Sequence, residues 1–352
     1  MTEGRILVTG GAGFIGSHYV RSVVAKGGEV VTLDALTYAG NIANLDTVQD
    51  APNHHFITGN IADRDLVARL LAEHRPMAIV NFAAESHVDR SIDGPATFID
   101  SNIVGVFVLL EACREHLRDR QDVDAFRFLH VSTDEVYGPI KQDAATEDER
   151  YNPSSPYAAS KAAADHLVRA WNRTYGVPAI ITNCTNNYGP NQFPEKLIPL
   201  TISKALQDES LPLYGDGLQE RDWLHVEDHC HALDAVLSAG TAGQTYNIAS
   251  GEARSNRAVV EEVCATLDRL RPRASGAPYH TLIENVADRP GHDRRYALDG
   301  SRVRVEVGWA PEIPFSKGLT DTVSWYLEND RWIKASRQRY DGSRLGAMAQ
   351  GR

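Results

Sequence analysis

The chain has 352 residues, 42% of them hydrophobic, enough to bury a large core in one unit or in two coupled domains. Its 36 basic and 47 acidic residues give a net charge of −11, which argues against a nucleic-acid-binding surface and leaves room only for a local basic pocket. The start, Met1–Arg5, runs straight into a strand without a signal-peptide pattern, and no apolar run is expected to cross a membrane. Cys113, Cys184, Cys230 and Cys264 are dispersed without CxxC spacing, as expected of reduced, mostly buried thiols in a cytoplasmic protein.

In chain order, strands are predicted over Arg5–Thr9, Glu29–Asp34, His55–Gly59, Met77–Phe82, Phe126–Ser132 and Ala179–Cys184. Between them lie predicted helices over Phe14–Lys26, Asp63–Glu73, Pro95–Leu117 and Tyr157–Tyr175. That alternation predicts an α/β fold built on a Rossmann-type, doubly wound parallel sheet. Ala35–Pro52 is too polar to assign. From about Tyr188 the chain is denser in Pro, Gly and charge, with shorter elements such as helices over Ala258–Leu270 and Leu319–Leu327. This divides it into a dinucleotide-binding domain over 1–187, to which some later segments return, and a smaller mixed α/β substrate domain over 188–333. Residues 334–352, polar and basic, read as a mobile tail.

The first strand runs into Gly10-Gly11-Ala12-Gly13-Phe14-Ile15-Gly16, a GxxGxxG pattern through Gly10, Gly13 and Gly16 that also opens the first helix. Glycines there permit a tight turn and close approach of a pyrophosphate, and the helix N-terminus offers free N–H groups to the phosphates. Asp34, at the end of the second strand, can accept from the adenosine ribose hydroxyls. It would repel a 2′-phosphate, and Ala35 and Leu36 supply no cation, so the pattern favours NAD over NADP. Asn60-Ile61 and Ala83-Ala84 follow strands and should line the adenine and nicotinamide sides. Phe14, Ile15, Thr37, Ser101 and Asn187 complete the expected cofactor lining.

Tyr157 and Lys161 are four residues apart and share a face on a helix. An ammonium nearby and the positive nicotinamide ring both favour a phenolate that can take a proton from a sugar hydroxyl. Thr133 is placed to hydrogen-bond the same hydroxyl. Asp134 and Glu135 add an acid and a base that plain alcohol oxidation does not need. That surplus suggests oxidation, loss of water and reduction on one substrate. In a regular strand the two carboxylates would face opposite ways, so this reading requires the chain to leave strand geometry at Thr133. Lys196, Arg221 and Arg289 are the cations expected on a nucleoside diphosphate. His225, His229 and His231 have metal-like spacing, but Glu227-Asp228 reads as a helix N-terminus and no step calls for a metal, so none is assigned.

Ala83–Ser91, Thr133–Gly138, Tyr157–Lys161, Asn183–Pro190, Gln192–Pro199, Arg221–Leu224 and Asp288–Asp293 together carry a resemblance. The chain resembles the extended short-chain dehydrogenase/reductases in their nucleotide-sugar-modifying branch, and within it the dTDP-glucose 4,6-dehydratase family. The match runs from the N-terminus to about Tyr296. The resemblance implies that Tyr157 and Lys161 support oxidation at C4, that Glu135 removes the C5 proton and that Asp134 protonates the departing C6 hydroxyl. It implies a tightly held NAD, regenerated each cycle, and a dTDP-glucose substrate.

The resemblance also implies hydrogen bonds from Asn186, Asn256 and His292. It implies base stacking at Pro212-Leu213-Tyr214, and sugar or pyrophosphate contacts from Ser86 and His87, with Leu197 also in the substrate site. A homodimer through Pro95–Leu117 and Tyr157–Tyr175 is implied as well. Asn60 departs from the family's usual Asp, His225 from a usual Tyr, and Ala249-Ser250 from a usual Gly pair. Two rival functions share parts of this pattern. A nucleotide-sugar 4-epimerase would need the cofactor site, Tyr157 and Lys161 but not Asp134 and Glu135. A non-catalytic NAD-binding regulator would need none of the four side chains.

Overall fold

The computed structural model describes residues 4–118, 120–289, 291–340 and 345. Its strands, in chain order, are β1 (Ile6–Thr9), β2 (Val30–Asp34), β3 (His54–Thr58), β4 (Ala78–Asn81), β5 (Arg127–Thr133) and β6 (Ala179–Cys184). They continue with β7 (Asn186–Tyr188), β8 (Leu211–Tyr214), β9 (Glu220–His225), β10 (Thr245–Ile248), β11 (Ala253–Ser255) and β12 (Ile283–Val286). Seven of them form one sheet in the order β10-β6-β5-β4-β1-β2-β3, with every neighbouring pair parallel. The chain moves outward through β2 and β3 and then returns to β4 beside β1. That reversal opens a crevice at the carboxyl ends of β1 and β4, where such sheets bind ligands.

The strands read as continuous apolar runs because helices cover both faces, the usual condition of a parallel sheet. On one face Tyr19, Val20, Leu233 and Val303 from the Phe14–Ala25, Val226–Ala239 and Ser301–Val307 helices pack on Val8, Val80 and Leu129. On the other, Val67, Leu109 and Val168 from the Arg64–His74, Ala96–Leu117 and Pro156–Tyr175 helices pack on Leu7, Ile79 and Phe128. Each fully buried Leu or Phe contributes about 1.5–3 kcal/mol of apolar burial. A third core joins the Leu197–Ala205, Asn256–Leu270 and Phe315–Glu328 helices to β8 and Trp223 of β9, and forms the smaller α/β part. There β11-β9-β7 and β12-β8 are separate small sheets. β10, from the later half of the chain, pairs with β6 and ends the parallel sheet.

The helix that carries Tyr157 and Lys161 is written in its ends. Ser155 caps it by accepting from the Ala158 N–H at 3.1 Å, Pro156 sits in the first turn, and Gly176 closes it with φ +71.

The expected mobile tail does not begin at Lys334: Asp330–Arg339 is α-helical, with Ile333 and Ser336 buried. Trp332 Nε1 donates to Asn44 Oδ1 at 2.9 Å, and Arg337 Nη2 donates to Glu209 at 3.0 Å, so tertiary contacts hold a polar segment that local sequence would leave loose. The remainder of that tail lies outside the described residues, apart from Tyr340 and Leu345. The expectation about membrane-spanning length is also corrected. Ala96–Leu117, at 22 residues, is long and apolar enough by length and composition, because it is a core helix packed between the sheet and two neighbouring helices. It is not uniform: Ile99–Gly105 forms π-helical turns, and a Cβ at Gly105 would lie 2.5 Å from Ile61. All four cysteines are buried and unbonded to one another.

Candidate active site

A cleft of about 350 Å³ opens at the crevice between β1 and β4. Gly10 holds φ +70, and a Cβ there would sit 2.6 Å from the Ala83 nitrogen, so only glycine lets the two strand ends meet. A Cβ on Gly16 would lie 2.3 Å from the Gly10 carbonyl. Gly13 begins the Phe14–Ala25 helix with no side-chain cap and no acidic residue in the first turn, which leaves its N–H groups free for an anion.

Asp34 does two jobs. Its Oδ2 accepts from Ala12 N–H at 2.9 Å and its Oδ1 from Leu36 N–H at 2.8 Å, fixing the glycine turn to the loop after β2. Burial pushes its pKa up and these backbone bonds pull it down. The unassigned polar stretch becomes a loop whose Thr37, Ala39 and Gly40 line the cleft, then a short 3₁₀ turn over Ile42–Leu45. Asn60 lines the adenine side expected of it, but its Oδ1 already accepts from Ala62 N–H at 2.9 Å. Every residue expected to hold the cofactor lies on this one lining: Gly10, Gly13, Phe14, Ile15, Gly16, Asp34, Thr37, Asn60, Ile61, Ala83, Ala84, Ser101, Tyr157, Lys161 and Asn187. The bare helix start, the carboxylate at Asp34 and the absence of a cation at Ala35 or Leu36 fit NAD.

The chain leaves strand geometry where the chemistry requires it. Thr133 is the last extended residue of β5, and Asp134–Tyr137 turns at once into a 3₁₀ helix. The Thr133 hydroxyl accepts from Glu135 N–H at 3.3 Å and donates to Asp134 Oδ1 at 3.2 Å. This local turn puts Thr133, Asp134 and Glu135 on the same cleft as Tyr157, whose phenol hydrogen-bonds the Thr133 side chain.

Their charge environments differ. Burial, and then the Glu135 charge, push Asp134 up to about 8, so it carries a proton at neutral pH. Burial also raises Glu135, but Arg289, Arg221 and Lys196 pull it back down in that order. The protein surroundings alone oppose the phenolate expected of Tyr157. Burial raises its pKa well above the phenol range and the Glu135 charge adds to this. One helical turn on, the Lys161 ammonium donates to the Val131 carbonyl at 2.8 Å, and burial lowers its own pKa.

Ser86, Asn186, Lys196 and Leu197 share the same lining. Lys196 Nζ donates to the Ser86 carbonyl at 3.0 Å. The remaining expected substrate residues do not line the cleft; among them Arg289, Tyr214 and His292 are joined through Asp89 and ring packing. Arg289 pairs with Asp89 at 2.8 Å, and Tyr214 OH donates to the other Asp89 oxygen at 3.2 Å. His292 packs edge-on to Tyr214 at 6.3 Å and meets Asp288 at 2.6 Å. Arg221 donates to the Glu220 and Asp293 carbonyls and stacks 4.2 Å from Tyr296. Arg221 and Arg289 are nonetheless near enough to act on Glu135. His87 caps the Val88–Asp93 helix and faces the Glu195 carbonyl at 3.4 Å. Pro212 lies in β8 opposite Glu284, and Asn256 opens the Asn256–Leu270 helix.

Several lining residues were not singled out from sequence: Glu85, Ser132, Thr185, Gln192, Glu195 and Trp223. Thr185 directly follows β6, Glu85 lies shortly after β4 and Ser132 is next to last in β5, and that position is the signal that could have found these three. Asp134 Oδ2, Thr185 Oγ1 and Trp223 Nε1 are buried without a hydrogen-bond partner among the described residues, so they are groups a ligand can satisfy. The three histidines of the metal-like cluster are used separately. His225 accepts from Glu227 N–H at 3.4 Å, His229 Nδ1 meets Asn187 Oδ1 at 2.8 Å, and His231 is exposed. Of the departures, Ser250 hydrogen-bonds the buried Asp222 carboxylate, beside Arg221.

The parallel sheet, the glycine turn and the Tyr157–Lys161 helix together define an NAD-binding fold of the extended short-chain dehydrogenase/reductase class. Residues 7–322 match the family model for GDP-mannose 4,6 dehydratase, and the chain belongs to that family. It is 55% identical over 348 residues to a dTDP-glucose 4,6-dehydratase of Xanthomonas campestris pv. campestris strain B100, covering 97% of this chain and 98% of that one. A crystal structure of a dTDP-glucose 4,6-dehydratase from Streptomyces venezuelae with NAD bound superposes with a TM-score of 0.87 at 46% identity, covering 94% of this chain and 99% of that one. A UDP-glucose 4-epimerase from Thermus thermophilus in complex with NAD is more distant, with a TM-score of 0.81 at 30% identity over 92% of this chain and 99% of that one.

Proposed function

We infer that this chain is an NAD-dependent hydro-lyase that converts dTDP-glucose to dTDP-4-keto-6-deoxyglucose and water. The observation that carries the reading is the turn after β5, which puts a protonated Asp134 and a cation-flanked Glu135 into one cleft with Thr133 and Tyr157. The 55% identity to a named dTDP-glucose 4,6-dehydratase supports it over nearly the whole chain.

When bound along the glycine turn and Asp34, NAD supplies the acceptor for the C4 hydride and returns that hydride to C6. Thr133 and Tyr157 hold the C4 hydroxyl, and Tyr157 takes its proton. The ketone left at C4 acidifies the C5 proton, since the carbanion is stabilised as an enolate. Glu135 removes that proton. Asp134 gives its own to the C6 oxygen, which leaves as water. Afterwards Glu135 returns a proton to C5. Asp134 holds its proton, whereas Arg289, Arg221 and Lys196 favour the carboxylate form of Glu135, and that difference in charge environment separates the two roles.

Lys196, Arg221 and Arg289 meet the diphosphate, with Arg289 exchanging part of its Asp89 pairing for it. Ser86, His87, Asn186 and Leu197 meet the sugar and pyrophosphate, while Pro212, Tyr214, Asn256 and His292 receive the nucleoside side. The chain works as a cytoplasmic homodimer with no membrane or nucleic-acid partner. Ile99, Val104 and Tyr175, 46%, 41% and 48% exposed on the Ala96–Leu117 and Pro156–Tyr175 helices, support a pairing face there.

The test is parallel incubation with dTDP-, UDP-, CDP- and GDP-glucose and identification of each product. A 4-keto-6-deoxy sugar from the dTDP substrate is expected. A C4 epimer, or no product with any of the four, would overturn the reading.

A further inference from the structure

One helical turn after Lys161 lies Asp165, a carboxylate with 0% exposure that no step above uses. Its Oδ2 accepts from the Ser132 hydroxyl at 2.9 Å and from the Tyr151 phenol at 2.8 Å. Its Oδ1 has no hydrogen-bond partner among the described residues and lies 3.5 Å from His130 Nε2. That same nitrogen is 3.5 Å from Lys161 Nζ, so the carboxylate and the ammonium converge on one imidazole edge.

The ring's far edge is fixed. Thr9 donates to Asn81 Oδ1 at 2.5 Å, which turns the Asn81 amide nitrogen to donate to His130 Nδ1 at 3.0 Å. Thr9, Asn81 and His130 are register partners across β1, β4 and β5, so the sheet itself builds this row. His130 is therefore a neutral ring with its proton on Nε2, and burial keeps it uncharged. From β6 the Cys184 thiol faces Lys161, and burial pushes it up to about 12, so it too carries no charge. Tyr151 is a neutral phenol held from behind by Arg169 at 2.7 Å. Asp134 and Glu135, in the turn after β5, face Tyr157 instead. Burial raises Asp165 as well, against the Lys161 charge and the Tyr151 and Ser132 hydrogen bonds that favour its anion, and it is the carboxylate left to compensate a lysine that is 3% exposed.

We propose that Asp165 is a positioning residue for C4 oxidation, its buried carboxylate keeping Lys161 in the ammonium form one helical turn from Tyr157. An ammonium taken out of water without a counter-ion gives up its proton. Tyr157 then loses the one cation on its helix face and must be deprotonated at higher pH. The sign is diagnostic. Acting directly on Tyr157, removal of an anion would make the phenol more acidic. Acting through Lys161, the same removal makes it less acidic.

The proposal rests on the assignment of Tyr157 and Lys161 to C4 oxidation, and the experiment separates the two. The single-turnover rate of C4 oxidation of dTDP-glucose is measured against pH in the natural chain, in Asp165→Asn, in Asp165→Glu and in Tyr151→Phe. A natural chain that does not oxidise C4 refutes the function, whatever the variants do. Given oxidation, Asp165→Asn is expected to move the acid limb up by about one pH unit, which is about tenfold slower on that limb. Asp165→Glu should restore most of it. Tyr151→Phe, which keeps the carboxylate but removes one of its donors, should move the limb the same way by less. An acid limb in Asp165→Asn that stays put or moves down, with an unchanged melting temperature, overturns the proposal. If Asp165→Asn does not fold, an unmoved limb in Tyr151→Phe overturns it.

Discussion

Asp134 and Glu135 are adjacent in sequence and opposite in task, and their surroundings decide which is which. Asp134 is pushed up to about 8 by burial and by its neighbour's charge, while Glu135 has three cations working against its burial. Glu135→Gln is expected to abolish deuterium exchange at C5 and slow elimination by about 10²–10⁴-fold, the usual worth of a positioned general base, while leaving C4 oxidation measurable. Asp134→Asn should keep C5 exchange and slow the loss of water. Rapid quench with mass analysis of the sugar distinguishes them; unimpaired C5 exchange in Glu135→Gln would remove it as the base. Because the acid form of Asp134 does the work, elimination should fall as pH rises above about 8, with a separate fall on the acid side as Glu135 is protonated. A pH–rate profile of the elimination step checks this, and Asp134→Asn should lose the alkaline limb. The identity of the pair was legible in the sequence, because a carboxylate is a carboxylate wherever it stands. Their protonation states were not, since these depend on burial and on Arg221 and Arg289, which β9 and the segment after β12 bring back to the turn. The same holds for Lys161: helical spacing puts it on Tyr157's face, but only the fold shows that its ammonium bonds the Val131 carbonyl.

At the scale of elements, the cofactor half was the most readable part, because a strand, a glycine turn, a helix and a later acid each leave a local mark. Gly10→Ala should cost more than about 1 kcal/mol, since both its φ of +70 and the 2.6 Å approach to Ala83 resist a side chain. Thermal melting with and without added NAD checks it, the expected result being a lower melting temperature and loss of NAD-dependent stabilisation. What sequence did not reveal was held by distant contacts. The π-helical turns over Ile99–Gly105 bring that helix against Ile61. The Asp330–Arg339 helix has few apolar residues of its own and is fixed by Trp332 on Asn44 and by Arg339 on the carbonyls of Thr37 and Gly40, at 2.6 and 2.8 Å. Thr37 and Gly40 line the cofactor end of the cleft. Arg339→Ala should therefore raise the fraction of protein purified without NAD several-fold, measured as cofactor released on denaturation. A content equal to that of the natural chain would show that the helix plays no part in retention.

In the whole molecule, the parallel sheet holds the cofactor residues at its point of reversal, and β7, β9 and the Leu197–Ala205 helix bring substrate residues to the same cleft. Doubly wound order was legible from strand-helix alternation; the return of β10 to the sheet edge was foreseen only as some later segment. The exposed Ile99 and Val104 give the proposed dimer its test: the natural chain is expected to run at a dimer's mass in light scattering after gel filtration, and a double change of both to Asp should lower it to that of a monomer. A monomeric natural chain would contradict the pairing. The central claim is that one cleft oxidises C4, removes water across C5 and C6, and puts the C4 hydrogen back on the same sugar. The most direct measurement is turnover of dTDP-glucose carrying deuterium at C4, followed by locating the label in the product. The account predicts a 4-keto-6-deoxy sugar with that deuterium at C6. Deuterium still at C4, in a product that keeps its C6 hydroxyl, would contradict it.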